Sequence, residues 1–128
     1  MKKSAATPPF SFVLETLYSR EPSVRPMFGC FAVYIGRKIV LVLRKRKTEQ
    51  SMNGVWVATR KEHHATLKSL LPNLKSVPLL GKGETNWQMI AERDPEFESS
   101  VLTLCDLVLR GDPRVGTLPK PRAPRRKS

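Results

Sequence analysis

Two cysteines and two histidines are all that 128 residues offer in thiol and imidazole chemistry. Cys30 and Cys105 each lie inside an apolar run. Both are expected as buried free thiols behaving as small hydrophobes, with a disulfide or a reactive thiol as the other readings. So little cysteine fits a reducing, cytoplasmic setting. The histidines are neighbours, His63-His64. Consecutive helical residues point about 100° apart, so the pair does not face one metal jointly, as an i, i+4 pair would. No third ligand follows nearby, and neither a metal nor a cofactor is expected. Long hydrophobic runs are missing as well. Nothing approaches the roughly 18 apolar residues of a membrane span. The opening Met1-Lys2-Lys3-Ser4-Ala5-Ala6-Thr7-Pro8-Pro9 lacks the apolar centre of a secretory signal. The expectation is a cytoplasmic protein without membrane association.

Acidic residues are also scarce: 11, against 23 Lys and Arg, for a formal net charge of +12. Such a balance favours polyanions where the charge gathers on one face. Part of it gathers at the ends. Lys2 and Lys3 lie in the opening stretch, and Lys120, Arg122, Arg125, Arg126 and Lys127 lie in the closing one, with no acid in either. Setting these seven aside leaves 16 basic against 11 acidic side chains, a mildly basic body.

What is present is a β-rich centre. The run Met27-Phe28-Gly29-Cys30-Phe31-Ala32-Val33-Tyr34-Ile35 and its echo Ile39-Val40-Leu41-Val42-Leu43 are separated by Gly36-Arg37-Lys38. Two β-rich runs joined by a short glycine turn predict an antiparallel hairpin. Both faces of both strands are apolar, so each face needs cover. Val24-Arg25-Pro26 extends the first strand or starts it, and the proline marks a sheet edge. A third strand is predicted at Val55-Trp56-Val57-Ala58, after the Asn53-Gly54 turn. Two more are predicted at Ser76-Val77-Pro78-Leu79-Leu80 and Asn86-Trp87-Gln88-Met89-Ile90-Ala91, joined by Gly81-Lys82-Gly83.

Three helices surround these strands. Phe10, Val13, Leu14, Leu17 and Tyr18 fall on one face of a 3.6-residue period after Pro8-Pro9. Thr59-Arg60-Lys61-Glu62 has the capping-box pattern ahead of a second helix carrying His64, Leu67, Leu70, Leu71 and Leu74, which Pro72 ends. Asp94, Pro95 and Glu96 start a third, with Phe97, Val101, Leu104 and Val108 as its stripe, widened by Leu102, Cys105 and Leu109. Gly111 caps that helix and Pro113 prevents its continuation. The predicted fold is a two-layer α+β domain, an antiparallel sheet of about five strands with three helices, in the order α-β-β-β-α-β-β-α. A flexible segment 1–9, one domain at 10–116 and a basic disordered tail at 117–128 complete the plan.

The stretch Arg25-Pro26-Met27-Phe28-Gly29-Cys30-Phe31-Ala32-Val33-Tyr34 resembles the opening hairpin of the TfoX N-terminal domain family. Asn86-Trp87-Gln88-Met89-Ile90 and the helix after Asp94 sit where that family places its last strand and helix. The resemblance spans roughly residues 10–111. It implies an α+β domain without catalytic residues, of a kind whose namesake regulates competence for DNA uptake.

Candidate chemistry is thin. Gly81-Lys82-Gly83-Glu84-Thr85 lacks the spacer and the Gly-Lys-Ser/Thr ending of a phosphate loop and reads as a hairpin turn. Glu96, Glu98 and Asp106 lie on the polar side of a helix and lack the desolvated partner that acid–base work requires. No Ser/His/Asp or Cys/His set is present in a motif context, and a non-enzymatic role is expected. Arg44, Lys45, Arg46 and Lys47, with Arg60 and Lys61, either track a phosphate backbone with Trp56 stacking on a base or form a solvated strand end over a core tryptophan. The tail residues Arg122, Arg125, Arg126 and Lys127 either bind nucleic acid nonspecifically or keep the chain soluble. The doubly apolar hairpin is either buried within one chain or covered by a second copy in a homodimer. Three functions follow: a binding or regulatory domain of TfoX type, a nucleic-acid-binding protein, and, third, a small-ligand binder or enzyme with an unrecognised site.

Overall fold

The computed structural model describes residues 7–77 and 86–118. Six strands form one open antiparallel sheet: β1 Ser23–Met27, β2 Cys30–Ile35, β3 Lys38–Arg44, β4 Gly54–Val57, β5 Lys75–Ser76 and β6 Gln88–Ala91, in the spatial order β1-β2-β3-β4-β6-β5. Among the described residues three helices complete the fold: α1 Ser11–Thr16, α2 His64–Leu70 and α3 Phe97–Leu109. The α+β class and the antiparallel sheet agree with the sequence pattern, and the strand count rises from about five to six. The reason is local. Residues 27–35, expected as one strand, fold back at Phe28-Gly29, so that Met27 pairs with Cys30. Both turn residues have positive φ, 50° and 77°, the signature of a two-residue type I′ hairpin turn. Pro26 lies on the resulting edge strand, where a residue without an N–H is tolerated.

The β2–β3 register contains an irregularity. Val33 faces Leu41 but Tyr34 faces Ile39, leaving Val40 as an extra residue. A bulge of this kind shifts the alternation of side chains. Val40 and Leu41 accordingly join the same hydrophobic cluster although they are adjacent.

All three helices pack on one sheet face. That core joins Val33, Leu41, Leu43, Val55, Val57 and Ile90 from the sheet to Val13, Leu67, Val101, Leu104, Leu107 and Val108 from the helices. Phe97 links α3 to the N-terminal segment through Phe10, ring centroids 5.1 Å apart, and Phe12, 6.3 Å apart. The opposite face carries Cys30, Ala32, Ile39, Val42, Trp56, Met89 and Ala91, with Met27, Tyr34, Met52 and Trp87 packed against them and only partly buried. No residue of the three helices belongs to that cluster. Its centre is nevertheless closed within the single chain, since Ala32 and Val42 are fully buried.

The helices depart from the sequence pattern where their ends do. α1 stops at Thr16 and continues as a 3₁₀ turn over Tyr18–Arg20. The tighter winding of 120° per residue turns Tyr18, expected on the apolar face, out to 81% exposure. Arg20 Nη1 then donates to the carbonyls of Val108 (3.0 Å) and Leu109 (3.1 Å), closing the C-terminus of α3. The capping box at residues 59–62 does not form. Arg60 is the residue before the Lys61–His63 3₁₀ turn, with no side-chain cap, and Thr59 is buried with its Oγ1 unpartnered. Leu70 faces solvent, while Leu71 and Leu74 reach the core from beyond the helix end. In α3, Leu107 is buried and Leu102 is exposed. At 100° per residue Leu102 lies about 140° round from Phe97, outside the stripe. Gly111, at φ 68°, ends α3 as expected, its N–H donating to Val108 O and that of Asp112 to Leu107 O. These are the two bonds of a Schellman cap.

The chain after α3 returns to the sheet. Gly116 N–H donates to Ala58 O, and Thr117 exchanges both backbone bonds with Ile39. Thr117, the first residue of the expected tail, thus prolongs the position of β4 beside β3.

Candidate nucleic-acid interface

One end of the sheet gathers the β1–β2 turn, the end of β3, the start of β4 and the end of β6. Register places Arg44, Gly54 and Ala91 side by side there. Gly54 allows the approach. Its φ is 146°, and a Cβ at this position would lie 2.2 Å from the carbonyl oxygen of Ile90 and 2.9 Å from the amide of Glu92. No side chain fits between those backbones. Glu92 N–H in turn donates to Asn53 O at 2.8 Å.

Asn53 organises the loop that follows β3. Its Oδ1 accepts from Arg44 Nη1 (2.7 Å) and Arg46 N–H (2.9 Å), and its Nδ2 donates to Arg46 O (2.9 Å). It therefore reads both backbone groups of Arg46 as a neighbouring strand would. Arg44 is the second brace. Only 5% exposed, it also donates to the carbonyls of Glu49 (3.0 Å) and Thr48 (3.1 Å). A guanidinium occupied in this way holds the loop and is not presented to a phosphate. It also lies near Cys30, whose thiol burial pushes up while Arg44 and Arg46 pull it down.

The braced loop lines a cleft of about 700 Å³ with Lys45, Arg46, Lys47, Gln50, Asn53, Glu92 and Arg93. Lys45 pairs with Glu92. Among the described residues, no carboxylate reaches ion-pair distance of Arg46, Lys47 or Arg93. Three cations without a counter-charge thus line one concavity. Arg46 also lies across the β1–β2 turn: its Nη1 makes a long hydrogen bond to Phe28 O (3.5 Å). A Cβ on Gly29 would come within 2.9 Å of its Cζ, so this residue serves both the turn and the guanidinium.

Phe28 stands at the tip of that turn, 88% exposed and at φ 50°. Left-handed backbone costs a residue with a Cβ roughly 1–2 kcal/mol, and the favoured residues at this position are Asn, Asp and Gly. A side chain so exposed recovers little of that cost by burial. Tyr18 is the other strongly exposed aromatic, and it lines a cleft with Leu14, Pro22 and Glu21, without a cation.

The remaining expected residues lie elsewhere. Arg60 and Lys61 are exposed but follow the far end of β4, six residues from Gly54, or about 20 Å of extended chain. Trp56 is 8% exposed, donates its Nε1–H to Met52 O at 3.0 Å and packs edge-on against Trp87 at 6.2 Å. It is a core residue and offers no face to a base. Arg122, Arg125, Arg126 and Lys127 lie outside the described residues, as does the Gly81-Lys82-Gly83 turn. His64 is buried, its Nε2 3.2 Å from Asn86 O, while His63 lies 3.7 Å from Glu62. Glu96 and Glu98 are exposed, and Asp106 pairs with Arg110 at 3.0 Å. Cys30 and Cys105 are free and buried, and burial pushes the Cys105 thiol up to about 12. Phe28 and Arg93 were not among the expected site residues. Gly29 inside an apolar run was the available signal for the turn, whereas Arg93 joins the cleft only through the β4–β6 pairing.

Compared with known proteins, the chain matches no family model, no curated protein and no solved structure.

Proposed function

We propose that this chain is a non-enzymatic nucleic-acid-binding domain whose cleft at the 28/46/93 end of the sheet follows a phosphate backbone. The observation that carries the reading is the group Arg46, Lys47 and Arg93, three uncompensated cations around one cleft. A polar concavity with several cations suits a chain of phosphates, and its affinity would come from counterion release. The basic ends of the sequence would add to that attraction without shaping it. A regulatory role, implied by the resemblance of residues 25–34 to the TfoX N-terminal domain, belongs to the same proposal: such a domain would act where nucleic acid is handled.

The test is fluorescence anisotropy of a labelled oligonucleotide at about 50 and about 200 mM salt. The reading expects binding at the lower concentration and a steep loss at the higher. No binding at low salt refutes it.

A further inference from the structure

We propose that the ligand at this cleft is single-stranded nucleic acid, and that Phe28 is the platform on which an unpaired base stacks. This inference rests on the nucleic-acid reading above. Its starting point is that nothing among the described residues accounts for Phe28. Packing does not, since the side chain is 88% exposed. Turn chemistry does not, since a type I′ turn favours Asn, Asp or Gly there and Phe28 holds φ 50°. Residues that break a local rule without internal compensation gather at functional sites.

Its neighbours say which ligand. Arg46 bonds to the backbone carbonyl of Phe28 and also lines the cleft with Lys47 and Arg93, so the turn that carries Phe28 is joined through Arg46 to the cationic wall. An aromatic face beside a cationic groove is how sequence-tolerant single-strand binders work: the cations track the backbone and the ring takes a base. A duplex keeps its bases stacked on each other and presents none to such a ring. Gln50 and Asn53 line the same cleft. A concave, polar, cationic surface suits a phosphodiester chain better than the flat plane of a bilayer.

The experiment compares four ligands on the full-length protein at about 50 mM salt: a labelled 15-mer of thymidine, an abasic oligomer of equal length, a duplex of equal length, and vesicles of phosphatidylcholine with phosphatidylserine. The thymidine oligomer is expected to bind about tenfold more tightly than the abasic one, within the range that one stacked base contributes, and more tightly than the duplex. Phe28→Ala should remove the preference over the abasic oligomer, and Phe28→Tyr, which keeps a ring, should retain it. Thermal melts verify that both variants are folded. Equal affinity for thymidine and abasic oligomers, a preference for duplex, or a Phe28→Ala variant that keeps the thymidine preference overturns the inference and leaves the charge-based reading standing. Vesicle binding that depends on Phe28, with no preference for bases, also overturns it. Failure of every oligomer to bind refutes the underlying reading instead.

Discussion

Replacing Phe28 by Asn should make the protein more stable, which is the opposite of what removing a large aromatic usually does. The gain comes from the backbone. Phe28 holds φ 50°, at a cost of roughly 1–2 kcal/mol for a residue with a Cβ. Asn visits this region readily, and Asn-Gly is the preferred pair for the turn. The loss comes from burial. With 88% of Phe28 exposed, roughly an eighth of its ~200 Å² is covered, worth about 0.6 kcal/mol at about 25 cal/mol per Å². The balance is a stabilisation of about 0.4–1.4 kcal/mol. For a domain of this size the melting temperature should rise by about 2–5 °C. In urea the midpoint should move up by several tenths of a molar with the slope m unchanged. A lower midpoint at the same slope would refute the reasoning, because Phe28 would then make a stabilising contact within the fold. The same variant should lose preference for unpaired bases, so stability and binding would move in opposite directions.

Three further outcomes follow from the geometry. Gly54→Ala forces a Cβ to within 2.2 Å of Ile90 O and should cost at least about 3 kcal/mol, read by urea unfolding; a loss under 1 kcal/mol would mean that β4 and β6 separate easily. Thr59→Val removes a buried hydroxyl that has no partner and should stabilise by about 1 kcal/mol; a destabilisation of that size would show that the hydroxyl is satisfied. Asp112 accepts from Arg114 Nε and backbone N–H at 2.9 Å each and from Nη2 at 2.8 Å. The Arg114 side chain and amide hold its carboxyl well below the ordinary 3.8. A depressed carboxylate contributes stability that is complete above the unfolded value and is lost as pH falls through the folded one. Wild type should therefore lose stability below about pH 4 more steeply than Asp112→Asn in urea titrations between pH 2 and 6, and parallel curves would remove the pair from the account.

The parts of the fold legible in the sequence were those set by local chemistry. Gly111 ends α3 in the left-handed cap, whereas at the other end α3 starts at Phe97 with Glu96 as an uncapped N-cap, and Asp94, expected as the cap, accepts from Glu96 N–H at 2.8 Å in the turn before the helix. β3 could be read from its unbroken apolar run. The Phe28-Gly29 turn was hidden because apolar residues flank it on both sides, so periodicity alone read one strand where there are two. Tyr18 and Leu102 were misplaced because a stripe on a helical wheel does not show where α1 tightens or how wide the buried face of α3 is. The site was legible only in part. Charge singled out residues 44–47, but not that Arg44 turns inward to hold Asn53 while Arg46 and Lys47 line the cleft. Arg93 arrives from 47 residues beyond Arg46 through strand pairing, and no local pattern encodes that.

The central claim is that Arg46, Lys47 and Arg93 meet the phosphates. The most direct measurement is the salt dependence of binding to a single-stranded oligonucleotide, for the full-length protein and for the variant carrying Arg46→Gln, Lys47→Gln and Arg93→Gln together. Each phosphate contact on a single strand contributes about 0.7 to the slope of log affinity against log salt. The account predicts that the variant's slope is shallower by about 2 and its affinity weaker at low salt. An unchanged slope and affinity would contradict it, because binding would then come from charges outside the cleft.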